Sequence, residues 1–282
     1  MILKAYAKIN WALRVCGCRE DGYHLLDMLM QRISLCDELR IEASDTLRLE
    51  IDGAIPGNPR HNLVLRAANA LNEAAGTSFG ASVYLNKHIP SQAGLGGGSA
   101  DCAAALLGLN ELWGLGFDAD KLLSIGLKLG ADVPFCLQNA LCRVGGIGEK
   151  LSPFPYSPRI PLLLYMPRQG LSTAEVFAAL SSAGESIDIE ALAEALRQNK
   201  LKEAQGLSRN DLELPALRLL PELKDIMTRF RAAGAPFVRM SGSGACVFAA
   251  FESVEAADAA ARLLPGSMRA ETLYEVTSYI RR

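Results

Sequence analysis

The sequence predicts an α+β protein of two domains, and three observations carry that expectation. Strand-like patterns fill residues 2–51 before any helical periodicity appears. A tract holding Gly145, Gly146, Gly148, Pro153, Pro155 and Pro158 interrupts the chain near its middle, as a boundary between halves would. The length, 282 residues, suits one large domain or two of ordinary size. The division is placed at 1–153 and 154–282, with a last strand near 271–280 that is a candidate to pack back on the first domain.

The first strand spans residues 2–15. Ala7, Ile9, Trp11, Leu13 and Val15 alternate onto one face, and Tyr6, Lys8, Asn10 and Arg14 onto the other. Read alone, Lys8 and Asn10 belong to a face turned toward water. Asp21-Gly22 marks a turn, followed by Tyr23-His24. Further strands are expected near 28–35, 38–43 and 46–51, and a Gly/Pro-bearing loop over 52–61. Asn62 can cap a helix running to about Ala74, with Leu65, Ala68 and Leu71 on one stripe.

The stretch Ile89-Pro-Ser-Gln-Ala-Gly-Leu-Gly-Gly-Gly-Ser-Ala100 follows a strand-like run, Ala81–Asn86, and opens a long helical segment ending near Trp113. Glycine lets the backbone take positive φ and approach a ligand closely. The first N–H groups of a helix lack internal partners and attract anions. Strand, glycine loop and helix therefore form a candidate phosphate cradle, with Ser99 expected at the helix N-cap; the alternative is a flexible turn. The loop is neither a Walker A sequence nor a dinucleotide fingerprint, because no Gly-Lys-Ser/Thr follows and the third glycine of the latter is replaced by Ser99.

Asp118 caps a shorter helix that Gly130 ends. In Gly130-Ala-Asp-Val-Pro134, Pro134 keeps Val133 extended, so Asp132 is constrained on both sides. Its neighbours Val133, Phe135 and Cys136 are apolar, which raises a carboxyl pKa unless a cation sits nearby. The local sequence allows both a helix-terminal surface acid and a functional one. In the second half, a strand is expected at 160–166 and a capping box at Ser172-Thr-Ala-Glu175. Helices are expected at 188–198, 200–206, 221–233 and 254–264. Val238–Phe248 reads as strand, Gly242-Ser243-Gly244 turn, strand; a plain hairpin is its commoner meaning.

Bulk properties exclude several classes. Net charge is −2 with both signs interspersed, so no basic stripe addresses nucleic acid. Seven scattered cysteines without a Cys-x-x-Cys pair fit a reduced, cytosolic setting better than a disulfide scaffold. Only His24, His61 and His88 occur, far apart, against a histidine-rich zinc site. The N-terminus does not read as a signal peptide, and no apolar run reaches the roughly 20 residues of a membrane helix.

Three motifs follow one another: Lys8-Ile-Asn10, Gly94-Leu-Gly-Gly-Gly-Ser99 and Met240-Ser-Gly-Ser-Gly-Ala245. In that combination the chain resembles the GHMP superfamily of small-molecule kinases. Asp21-Gly-Tyr-His24, Asn62-Leu-Val64 and Gly130-Ala-Asp-Val-Pro134 draw the likeness toward a member that phosphorylates the 2-hydroxyl of a cytidine-diphosphate polyol, in the non-mevalonate isoprenoid pathway. Members whose acceptors carry no pyrimidine, and a catalytically silent nucleotide-binding protein, are the rival readings.

The resemblance implies a ribosomal S5 domain 2-like first domain, a ferredoxin-like second domain and a cleft between them. It implies ATP as phosphoryl donor, with Mg²⁺ carried in on ATP and no dedicated protein ligands for it. Asp132 would be the general base and Lys8 its charge partner, with Asn10 orienting the acceptor hydroxyl. Gly94, Leu95, Gly96, Gly97, Gly98, Ser99 and Ala100, with Pro90 ahead of them, would hold the ATP phosphates. Asn62 and Lys87 would hold the adenosine. Tyr23 would stack on cytosine, His24 would bond its edge and Phe177 would close its other side. Gly242, Ser243 and Gly244 would meet the acceptor's diphosphate. Asp101 is expected to be structural, since a base so near the triphosphate would repel it. Gln92 and Met30 depart from the family pattern at the loop and the cytosine pocket. No membrane or nucleic-acid partner is expected, and the protein is expected to be a monomer or a weak homodimer.

Overall fold

The computed structural model describes residues 1–53, 61–138, 141–181 and 184–274. Most of the expected loop at 52–61 and of the last strand at 271–280 lies outside the described residues. The chain opens with a long antiparallel ribbon, β1 (Ile2–Cys18) and β2 (His24–Ala43). The other edge of β2 carries two partners, β4 (Ala81–Asn86) along residues 38–43 and β5 (Cys142–Gly146) along 26–30. Parallel β3 (Arg48–Asp52) and antiparallel β6 (Lys150–Pro153) complete a six-stranded sheet.

Two expectations for this sheet are corrected. The strands placed at 28–35 and 38–43 are one continuous β2, because no glycine or proline breaks it and Asp37 stays inside. The Asp37 carboxylate accepts from the N–H groups of His88 and Ile89 at 2.5 and 2.8 Å, so an acid that reads as a strand breaker is buried with partners. Nor does β1 keep one apolar face. Register shifts at Tyr6/Lys8 and Asn10/Ala12 move Leu13 and Val15 into a different hydrophobic cluster from Ala7, Ile9 and Trp11. An extra residue in a ladder reverses the sidedness of everything beyond it. Lys8 and Asn10 do not face water: both are buried.

Helices α1 (Leu63–Ala75), α2 (Gly97–Leu112), α3 (Ala119–Leu129) and the one-turn α4 (Val133–Cys136) belong to this half. Asn62 Oδ1 accepts from Val64 N–H at 2.8 Å and Asp118 Oδ1 from Lys121 N–H at 2.9 Å, so both expected caps form. α2 is apolar nearly all round and lies inside the core, its Ala100, Cys102, Ala103, Leu106 and Leu109 buried.

The second half is a four-stranded antiparallel sheet, in the order β10 (Met268–Glu271), β7 (Pro161–Tyr165), β9 (Val247–Ala250), β8 (Phe237–Met240). With it come α5 (Thr173–Ala178), α6 (Ile189–Arg197), α7 (Leu201–Leu207), α8 (Glu213–Leu219), α9 (Glu222–Ala232) and α10 (Val254–Leu263). α8 is not among the expected helices; its Pro215 stands in the first turn, where its missing N–H has no helical partner to lose. Trp11 joins the sheets: its ring meets Phe237 and Phe248 edge-on at 5.0 and 5.6 Å, and its Nε1–H donates to Gln31 Oε1. Beyond β10, Leu273 N–H donates to the Arg32 carbonyl of β2 at 2.9 Å, so the described end of the chain touches the first sheet. No helix among the described residues is long and apolar enough to cross a membrane.

Candidate active site

A cavity of about 570 Å³ opens where β1, the glycine loop, the start of α4, α5 and the β8–β9 turn converge. Of the expected site residues, Lys8, Asn10, Asn62, Lys87, Pro90, Gly94 to Ser99, Asp132, Phe177, Gly242 and Ser243 line it. Ala100 does not line it, because its side chain is buried on the inner face of α2. Tyr23, His24 and Gly244 do not line it either.

The glycine loop is shaped by contacts only glycine permits. Gly94 and Gly96 have φ of +72° and +70°. A Cβ on Gly94 would fall 2.0 Å from the Ser241 carbonyl oxygen, and one on Gly96 would fall 3.0 Å from Lys8 Cγ. The loop thus lies directly between the catalytic-candidate strand and the second domain's turn. Gly96, not Ser99, is the residue before the first turn of α2. A left-handed backbone there suits glycine and strains serine. Ser99 sits inside the first turn with its hydroxyl released from capping. The N–H groups of Gly97, Gly98 and Ser99 belong to that turn and have no acceptor within the helix, as an anion site requires.

Lys8 Nζ donates to Asn10 Oδ1 at 2.8 Å and to the Gly94 carbonyl at 2.9 Å, and stands 3.5 Å from Asp132 Oδ2. Its backbone N–H donates to the Leu95 carbonyl at 2.9 Å. Asn10 Nδ2 completes the set on Met28 Sδ at 3.4 Å. Asp132 holds the N-cap position of α4 without capping it, which leaves the carboxylate for Lys8. Its side chain is 31% exposed while that of Lys8 is 5%, so an incoming group reaches the acid with the ammonium behind it. A cation therefore stands beside the Asp132 carboxylate.

Lys87 lies in a second charged group that sequence reasoning missed. Its ammonium bonds to Asp37 and, at 2.7 Å, to Asp101. Burial alone would push the Lys87 ammonium down, but Asp101 and Asp37 outweigh it and hold it above its usual range. Two carboxylates against one ammonium leave a buried negative charge. Burial, with Asp37 adding to it, pushes the Asp101 carboxyl up to about 7 despite the opposing pull of Lys87. Asp101 thus partners Lys87 at the edge of the cavity. Asp37 carried no sequence signal, because a lone acid inside a strand reads as exposed.

Phe177, which lines the cavity, stacks face to face on the His24 ring behind it at 4.5 Å, 19° between planes, while Tyr23 is exposed. Thr173 Oγ1 and Ser243 Oγ share a hydrogen bond of 2.8 Å, tying α5 to the β8–β9 turn. Gln92 adopts φ +55°, lines the cavity and lays its side chain beside Gly170, where a Cβ would meet Gln92 Oε1 at 3.1 Å. Met30 is wholly buried; Met28 is the methionine at the cavity. The described residues contain no cluster of three or more His, Cys, Asp or Glu side chains able to hold a metal. A carboxylate beside an ammonium, next to the first-turn N–H groups of a helix, suits the transfer of a phosphoryl group to a hydroxyl.

Comparison with known proteins points the same way. Residues 62–139 match the GHMP kinases N terminal domain, and residues 178–269 match the GHMP kinases C terminal domain. A 4-diphosphocytidyl-2-C-methyl-D-erythritol kinase of Rhizobium johnstonii is 43% identical over 92% of this chain and 88% of its own. One from Geobacter metallireducens is 40% identical over 95% of each. A crystal structure of 4-(cytidine 5'-diphospho)-2C-methyl-D-erythritol kinase superposes with TM-score 0.84 at 39% identity, covering 98% of this chain and all of that one. A homoserine kinase from Cytophaga hutchinsonii, at 20% identity and TM-score 0.71 over 97% and 96% of the two chains, shares the fold.

Proposed function

The chain belongs to the GHMP kinase family, and we propose that it transfers the γ-phosphoryl group of ATP to the 2-hydroxyl of 4-diphosphocytidyl-2-C-methyl-D-erythritol. The products are the 2-phosphate and ADP. The observation that carries this reading is the Lys8–Asp132 pair, 3.5 Å apart beside the glycine loop.

Asp132 accepts the proton of the acceptor hydroxyl as its oxygen attacks the γ-phosphorus; the bond from that phosphorus to the bridging oxygen breaks, and ADP leaves with the electron pair. A positioned base contributes about 10² to 10⁴ in rate. Lys8 stands beside Asp132 and offsets charge on the attacking oxygen, and Asn10, fixed by Lys8, orients the hydroxyl. The first-turn N–H groups of α2 meet the phosphates, and positioning with charge neutralisation supplies most of the remaining acceleration. Mg²⁺ carried in on ATP would neutralise phosphate charge there. Adenosine is assigned to Asn62 and Lys87, both of which line the cavity.

The acceptor's diphosphate is assigned to Gly242, Ser243 and Gly244, and its cytosine to Tyr23, His24 and Phe177. Since His24 and Phe177 stack on each other, a base closed over by Phe177 must part them. The protein works in the cytoplasm in this reading. The test is ADP release with the cytidine-diphosphate polyol as acceptor, alongside thermal shifts with CDP, homoserine and mevalonate. Stabilisation by CDP alone supports the assignment, because a ligand of the native state must raise the melting temperature. Stabilisation by homoserine or mevalonate instead would overturn it.

A further inference from the structure

The segment 208–211, between α7 and α8, crosses from the first sheet to the second. On one side it pairs with β1: Leu13 N–H donates to the Arg209 carbonyl and Asp211 N–H to the Leu13 carbonyl, each at 2.9 Å. Val15 N–H donates to Asp211 Oδ2 at 2.8 Å. On the other side Asn210 Nδ2 donates to the carbonyls of Met240 at 2.9 Å and Gly242 at 2.8 Å. Asn210 Oδ1 accepts from Leu212 N–H at 3.0 Å. The side chain is buried, and both donor hydrogens of its amide are spent on the β8–β9 turn.

That grip has a directional consequence. In a trans peptide the C=O and the following N–H point in opposite directions. The Gly242 carbonyl points at Asn210, which does not line the active-site cavity, whereas Gly242 and Ser243 do. The Ser243 N–H is therefore turned away from Asn210, in a residue that lines the cavity. The same turn touches the reacting centre: Ser241 Oγ donates to the Gly94 carbonyl at 2.9 Å, and a Cβ on Gly242 would fall 3.2 Å from Lys8 Nζ. Asn210 thus ties a donor of the second domain to the strand that carries Lys8 and Asn10.

We propose that Asn210 is a positioning residue for the acceptor: by holding the Gly242 carbonyl it aims the Ser243 N–H at the acceptor's diphosphate. This rests on the functional reading above. It gives Asn210 an effect on one substrate and not the other, which a residue serving stability alone does not have.

The test compares the wild type with Asn210→Ala, which removes both donors without adding charge, and Asn210→Ser, which keeps one. Dissociation constants for cytidine and CDP are measured for each, with KM for ATP and the melting temperature. The wild type is expected to prefer CDP to cytidine. Asn210→Ala is expected to lose about tenfold of that preference and Asn210→Ser part of it, with KM for ATP within about twofold, since small displacements of a binding group carry large penalties. If Asn210→Ala does not fold, the Asn210→Ser ratio decides. An unchanged CDP-to-cytidine ratio beside a lowered melting temperature overturns the proposal and leaves Asn210 a stabilising residue. A wild type that fails to bind CDP at all overturns the functional reading, and the proposal with it.

Discussion

Gly94 and Ser241 meet so closely that a single methyl group on residue 94 would sit 2.0 Å from the Ser241 carbonyl oxygen. The contact joins the phosphate-cradle candidate of one half to the β8–β9 turn of the other. It is reinforced by Ser241 Oγ on the Gly94 carbonyl and by Cys246 N–H on the Ala93 carbonyl at 3.0 Å. Gly94→Ala has to move backbone against backbone while holding φ near +72°. It is expected to destabilise the protein by roughly 2–5 kcal/mol, from overpacking and left-handed strain together. Urea unfolding measures this; an unchanged midpoint would show that loop and turn are not in contact.

Gly98 stands in the opposite situation. It lies in α2 with no positive φ, and the atom nearest an added Cβ is Leu63 Cδ1 at 3.6 Å. The fold leaves room for a methyl group, but the room is the cavity that Gly98 lines. Gly98→Ala is therefore expected to raise stability by about 0.5–1 kcal/mol, as alanine does in a helix. The KM for ATP is expected to rise about tenfold or more as the phosphates are displaced. A variant that gains stability and loses nothing in ATP affinity would place the phosphates elsewhere.

These two glycines show what the sequence could and could not disclose. Their clustering before a helix marked the candidate cradle, yet which glycine meets backbone and which meets open space depends on Ser241, far away in the chain. Lys8 and Asn10 were placed on the same side of β1, but their burial follows from the loop and α4 closing over them, which no local pattern encodes. The register shifts in β1 escaped detection because the residues that cause them are ordinary ones. Asp37 and Asn210 were invisible for the same reason: each acts through backbone groups of a distant segment.

Lys8 and Asp132 make a pair whose members are expected to fail differently. Asp132→Asn keeps the shape and removes the proton acceptor, so turnover is expected to fall by about 10² to 10⁴ with ATP binding nearly intact. Lys8→Met also removes the hydrogen bonds to Asn10 and Gly94, so it is expected to impair both turnover and the loop. Single-turnover phosphorylation with a separate ATP-binding measurement distinguishes the two. Retained turnover in Asp132→Asn would remove Asp132 from its role.

The buried group around Lys87 gives a pH signature of definite sign. Burial raises the Asp101 carboxyl from its usual value near 3.8 to about 7, so between those pH values the folded protein holds a proton that the unfolded chain has released. Stability rises with pH only where the unfolded state binds more protons, so this group's contribution falls as pH rises through the window from about 4 to about 7. Below that window both states are protonated and the contribution is constant. Asp101→Asn removes the titration while keeping an oxygen for the Lys87 ammonium. The stability difference, wild type minus variant, is therefore expected to decline steadily across the window and to level off on either side. Chemical denaturation at pH 4, 5.5 and 7 measures it. A difference that rises with pH would mean that Lys87 holds Asp101 ionised, below its usual range rather than above it.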